Sequence, residues 1–157
     1  NLLDGSLKSV SNPGHFWSDF ALGRSSTDSL IPKPTSLVSA LQKVLPACTN
    51  NIYAMSMRVP TSIVSASDMV ISLDKQISLK IIEDVFQQLE YNYPDVVKIN
   101  RESLVSIDYK GLKQSCVIDL QWLEIINNKI KIVLWYDNEW GYSNRVIDLV
   151  KIKHEKF

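Results

Sequence analysis

The sequence predicts an α+β fold: a mostly antiparallel mixed sheet with its helices gathered on one face. Three observations carry this. Two segments, 37–45 and 79–89, repeat apolar residues at helical spacing. Lys129–Tyr136 sets Ile130, Ile132 and Leu134 against Lys129 and Lys131, the period of a strand with one wetter face. Between that strand and the apolar run before it stands Asn127-Asn128, a tight hairpin turn, since Asn tolerates positive φ. Two mid-chain helices, one terminal helix and five or six strands joined largely by hairpins give the layered arrangement.

In chain order, residues 1–29 form an irregular loop segment. Asn12-Pro13-Gly14 signals a turn, and Ser25–Ser29 is polar without periodicity. A single domain, 30–157, follows. Leu30–Pro34 is extended, because each proline disfavours helix for the residue before it. Thr35 or Ser36 then caps a helix with Leu37, Val38, Leu41, Val44 and Leu45 on one stripe, and Pro46 stops it. After a turn at Asn50-Asn51, the segment 52–59 alternates Tyr53, Met55, Met57 and Val59 against Ala54, Ser56 and Arg58. That is a strand delivering Arg58 on its smaller, more polar face.

Residues 62–73 read as a longer strand. Ser78–Tyr91 is an amphipathic helix with Leu79, Ile82, Phe86 and Leu89 inward, ended by Tyr93-Pro94-Asp95. Short strands are predicted at 96–99, 104–109 and 116–120, the last extending toward Ile126. Past Tyr136 a strand becomes a helix within a few polar residues. Ser143 is the expected N-cap, with Val146, Leu149, Val150 and Lys153 at helical spacing, and 151–157 is a fraying tail. Polar junctions of this kind sit at the mouth of a sheet, where ligands bind.

Composition narrows the function classes. The 157 residues suffice for one domain with a sizeable core, and a 45% apolar share is that of an ordinary globule. Seventeen basic and seventeen acidic residues cancel, so charge drives binding to neither nucleic acid nor an anionic membrane. Two distant cysteines without CxxC spacing suggest reduced thiols, no metal site and a cytoplasmic setting. No apolar run approaches the roughly 18 residues of a membrane span. The chain opens Asn-Leu-Leu-Asp, without Met or a signal core, as a piece of a longer protein would.

The run Trp135-Tyr136-Asp137-Asn138-Glu139-Trp140-Gly141-Tyr142-Ser143-Asn144-Arg145 resembles the C-terminal signature of phosphorylating glyceraldehyde-3-phosphate dehydrogenases and the related erythrose-4-phosphate dehydrogenases. Met57-Arg58-Val59-Pro60-Thr61 resembles the RVPT segment of the same family. The resemblance, over roughly residues 18–150, implies the catalytic C-terminal domain. In that family a cysteine thiolate, activated by a histidine, attacks a sugar-phosphate aldehyde; hydride passes to NAD, and inorganic phosphate releases the thioester as an acyl phosphate.

The resemblance also implies roles. Asn138 corresponds to the asparagine that holds the nicotinamide carboxamide, and Tyr142 to the tyrosine beside that ring. Arg58 corresponds to a phosphate-site arginine, whose fork suits a tetrahedral oxyanion. Thr35 and Ser36 stand where the family builds an anion site at a helix start, Ser36 replacing the usual glycine. The reading supposes that Asn138 and Arg58 converge on one small anion and a flat ring.

Other family positions are not matched. The nucleophile belongs upstream, and no catalytic residue is assigned on this chain. Cys48, in Pro46-Ala47-Cys48-Thr49-Asn50, echoes the nucleophile motif by coincidence, since its spacing from Arg58 places it on a turn. Cys116 is read as a buried, inert thiol. The histidine position falls near Leu3; His15 is read as a loop histidine, and a second phosphate arginine aligns with Leu22, beside Arg24. No Gly-x-Gly-x-x-Gly follows a strand, so the adenosine half of NAD needs a separate N-terminal Rossmann domain, onto which helix 146–152 is expected to pack. The implied partners are a sugar phosphate, inorganic phosphate, that domain, and further copies of the chain through Phe16–Ser29. The expected function is the catalytic domain of an NAD-dependent phosphorylating aldehyde dehydrogenase of glycolysis, inactive as this chain alone. The alternatives are a non-catalytic relative kept for assembly or phosphate binding, and an erythrose-4-phosphate dehydrogenase.

Overall fold

The structure is a computed structural model that describes residues 28–155. The expectations for His15, Leu22, Arg24 and nearly all of the 1–29 loop concern positions outside those residues. Two compact units divide the chain between Ser62 and Ile63.

In the first unit, β1 (Ile31–Lys33) pairs antiparallel with β2 (Ser56–Arg58), setting Ile31 opposite Arg58 and Lys33 opposite Ser56. Between them lie α1 (Leu37–Val44) and a 3-10 helix, Pro46–Asn51. Pro46 does stop α1, but as the first residue of a tighter helix, a use that its fixed φ allows. The backbone of Cys48 belongs to this connection, as its spacing predicted. The expected strand 52–59 shortens to three residues, and its burial is inverted. Tyr53, Met55 and Met57 are exposed, whereas Ala54, Ser56 and Arg58 are half-buried. Alternation identified the two faces correctly; it carried no information about which one the chain covers.

The second unit is an α+β body around a four-stranded sheet. Its strands are β3 (Ser65–Ser72), β4 (Val97–Asn100), β5 (Cys116–Ile126) and β6 (Lys129–Tyr136), in the order β3-β6-β5-β4. The pairs β3–β6 and β5–β6 are antiparallel and β4–β5 is parallel, so the sheet is mixed as predicted. Only β5–β6 is a tight hairpin. Asn127 turns it with φ 57°, and Asn128 ties it to the end of β3 by exchanging hydrogen bonds with the Leu73 backbone.

One sheet face is covered by α2 (Leu79–Asn92), which Ser78 caps by accepting from the Ile81 N–H. Ile82 and Phe86 of α2 enter a core with Ile99, Ile118, Leu123, Ile130 and Ile132. Leu79 and Leu89, expected inside, stay partly exposed. Glu90 fastens the helix to the sheet by accepting from the Ile99 N–H.

The other face carries a smaller cluster of Val64, Tyr109 and Val117, flanked by Leu104, Leu112 and Trp135. Here the predicted strand 104–109 is corrected: Ser106–Tyr109 is a 3-10 turn. The Asp108 carboxyl accepts from the Val105 N–H and closes the turn locally, competing with the ladder that apolar alternation suggested. The terminal helix α3 runs Trp140–Glu155, so residues 151–155 continue a helix instead of fraying, and His154 lies on it.

Candidate functional site

The strand-to-helix junction after β6 is built around Asp137, which is 2% exposed. Its backbone C=O accepts the first helical bond from the Gly141 N–H. Its side-chain Oδ1 accepts from the N–H groups of Glu139 (3.0 Å) and Trp140 (2.9 Å). Asp137 therefore caps the turn that opens α3, and Asn138 follows it in that turn, directly ahead of the helix. The expected cap, Ser143, instead sits inside the helix and donates its hydroxyl to the Glu139 carbonyl. Periodicity located the helix, but the apolar residues that gave it, Val146, Leu149 and Val150, lie beyond its first turn and are exposed.

The other carboxyl oxygen of Asp137 accepts from the Gly111 N–H at 2.8 Å, linking the junction to the turn after Tyr109. Gly111 holds φ 79°, a conformation that favours glycine. Burial works against ionisation of Asp137, yet the N–H groups of Trp140, Gly111 and Glu139 outweigh it and hold the carboxyl below its usual range. The first turn of α3 also passes close to the chain at Gln114: a Cβ on Gly141 would meet the Gln114 carbonyl oxygen at 3.0 Å.

Beneath the junction lies a polar network that the sequence reading missed. Asp119, 1% exposed, accepts from Trp135 Nε1 (2.8 Å), Asn100 Nδ2 (3.2 Å) and the Gln121 N–H (3.1 Å). Tyr109 stacks on Trp135 with ring centroids 5.2 Å apart. Burial first, then the neighbouring Asp119, pushes the Tyr109 phenol up to about 12. A signal existed: Asp119 interrupts the apolar run Cys116-Val117-Ile118 in a strand. A carboxyl there needs several donors, and two of them, Asn100 and Trp135, are distant in sequence.

Asn138 is exposed, and its Oδ1 accepts from the Ser65 hydroxyl at 3.4 Å. Tyr142 follows four residues later, in the first turn of α3, and is 71% exposed. The structure thus places both expected nicotinamide contacts at one helix end, and adds Ser65, which sequence reasoning did not single out.

In the first unit, the backbone of Ser36 caps α1, its carbonyl accepting from the Ala40 N–H, but the Ser36 side chain makes no capping bond. Thr35 supplies that instead, its Oγ1 accepting from the Leu37 N–H at 3.2 Å. A depression of about 400 Å³ opens at Thr35, lined by Lys33, Tyr53 and Met55 among others. Arg58 stands opposite Ile31, and Thr35 is four residues beyond Ile31, roughly 13 Å of extended chain away. Arg58 and Thr35 thus mark the two ends of the β1–β2 ribbon.

Cys116 is half-buried, and burial pushes its thiol up to about 11, which suits an inert side chain. Among the described residues no group of three His, Cys, Asp or Glu side chains is placed to hold a metal ion. Nor is any described helix long and apolar enough to cross a membrane.

A mixed sheet backed by α2, ending in a capped junction that presents an amide and a phenol ring, defines an α+β domain. The sequence model of the "Glyceraldehyde 3-phosphate dehydrogenase, C-terminal domain" family matches residues 8–138, a span holding Thr35, Ser36, Arg58, Ser65 and Asn138 and ending before Tyr142. The chain belongs to that family. It is 34% identical over 145 residues to a protein named glyceraldehyde-3-phosphate dehydrogenase 2 from Staphylococcus aureus strain N315, covering 92% of this chain and 41% of that protein. To the protein of the same name from Staphylococcus epidermidis it is 37% identical over 147 residues, covering 92% and 42%. The chain therefore spans about two fifths of the length of these relatives.

Proposed function

We propose that the chain supplies the catalytic-domain half of an NAD-dependent, phosphorylating aldehyde dehydrogenase of the glyceraldehyde-3-phosphate dehydrogenase type. The observation that carries this reading is the pair Asn138 and Tyr142 at the N-terminus of α3. With Oδ1 engaged by Ser65, the exposed Asn138 keeps its amide donors for a carboxamide carbonyl, and the exposed Tyr142 lies four residues on. These residues fit the nicotinamide half of NAD, which when bound accepts hydride. Asn138 fixes which way the ring lies, and Tyr142 shields one side of it from water.

Toward the substrate, Arg58 offers a guanidinium fork to a phosphate group. Because Thr35 Oγ1 accepts from the Leu37 N–H, its own proton remains to be donated to an anion oxygen at the start of α1. Ser36, with its side chain uninvolved in capping, is a second hydroxyl donor there. The nucleophilic cysteine and the dinucleotide domain come from a Rossmann partner. The exposed Trp140, Val146, Ile147, Leu149 and Val150 of α3 provide an apolar surface for it to cover. Glycolysis in the cytoplasm, as a homotetramer, is the setting the family suggests.

A nuclear magnetic resonance titration of the chain tests this. Inorganic phosphate at millimolar levels should shift the resonances of Thr35 and Arg58, and NAD those of Asn138 and Tyr142. The chain alone should not reduce NAD with glyceraldehyde 3-phosphate and phosphate. Turnover would refute the assignment of the nucleophile to the partner domain. Absence of both sets of shifts favours the non-catalytic relative, and comparison of three- and four-carbon aldose phosphates on the assembled enzyme decides against or for the erythrose-4-phosphate alternative.

A further inference from the structure

We infer that Ser65 is a positioning residue that orients the Asn138 amide, and that the strained backbone at Val64 holds it in place; this rests on the nicotinamide reading above. Val64 adopts φ 73°, although a β-branched residue is strongly disfavoured at positive φ. It is 7% exposed and packed with Tyr109 and Val117, with Trp135 against the cluster, so its packing over-determines the conformation. The next residue, Ser65, opens β3 directly opposite Tyr136, two residues before Asn138. From there its hydroxyl donates to Asn138 Oδ1 at 3.4 Å.

An unrestrained Asn amide can present either its oxygen or its NH2 group to a ligand. With its oxygen held by a donor from β3, Asn138 presents NH2, which selects a carbonyl acceptor such as that of a carboxamide and disfavours a donor. The selection follows from a hydroxyl 73 residues away in sequence, brought there by the β3–β6 register. Asp119, through Trp135, and Asp137, through Gly111, brace the same end of the sheet from below.

The test compares the wild-type chain with Ser65→Ala and Ser65→Thr by nuclear magnetic resonance. Two quantities are read: the order parameter of the Asn138 side-chain NH2, and the dissociation constant of nicotinamide mononucleotide from shifts at Asn138. Ser65→Ala should lower the order parameter and weaken binding about three- to tenfold, the contribution of one neutral hydrogen bond. Ser65→Thr, which keeps the hydroxyl, should restore both. An Asn138 amide equally ordered in the alanine variant overturns the inference, whether or not the mononucleotide binds. If the mononucleotide leaves wild-type Asn138 unshifted while the order parameter still depends on the hydroxyl, the nicotinamide reading fails and the positioning role stands.

Discussion

Removing the Asp137 carboxyl should open the junction that carries Asn138. In Asp137→Ala the Glu139 and Trp140 N–H groups lose their cap, a loss of about 0.5–2 kcal/mol. The Gly111 N–H loses a charge-assisted bond as well, about 1.5–3 kcal/mol. Together the expected destabilisation is about 2–5 kcal/mol. Asp137→Asn keeps one acceptor oxygen and should lose roughly half as much, since its NH2 group must face at least one backbone donor. Urea unfolding followed by tryptophan fluorescence reports this region, because Trp122, Trp135 and Trp140 all lie in the second unit. A loss of 2 kcal/mol moves the midpoint by about 1 M when the slope is about 2 kcal/mol per molar.

The pH dependence gives a second, independent check. The folded carboxyl titrates below its usual range, so its stabilisation is complete above the unfolded value near pH 4 and is lost as pH falls toward the lower, folded one. The gap between wild type and Asp137→Asn should thus be full at pH 7 and narrow below about pH 4. A midpoint unmoved in both variants at pH 7, or a gap that does not narrow in acid, would refute the reasoning.

Two further outcomes follow from other groups. At Val64, the glycine variant should be more stable than the alanine variant by about 1 kcal/mol in the same unfolding assay, reversing the usual order, because only glycine relieves the positive φ. For Cys116, a thiol pushed up to about 11 holds about a hundredfold less thiolate near neutrality than an ordinary cysteine. In a Cys48→Ser chain, labelling by a disulfide reagent at pH 7.5 should be correspondingly slow and rise with pH toward 11; rapid labelling at neutral pH would contradict the burial of the thiol.

What the sequence by itself determined is local or densely patterned. The Lys129–Tyr136 strand, the Asn127 turn with its positive φ, the Ser78 cap and the α2 stripe depend on residues within a few positions of one another. The run from Trp135 to Arg145 was specific enough to indicate the family before any coordinates. Elsewhere a second local preference won: the Asp108 carboxyl closed a 3-10 turn where a strand was expected, and Asp137 preceded Ser143 as the cap of α3. Only the tertiary structure decided which face of the 52–59 segment is covered, that Asp119 gathers donors from Asn100 and Trp135, and that Ser65 reaches Asn138. The physical reason is common to all three. Burial and hydrogen-bond partnership are properties of pairs, and strand register brings together residues tens of positions apart whose identities, taken singly, carry no record of their neighbours.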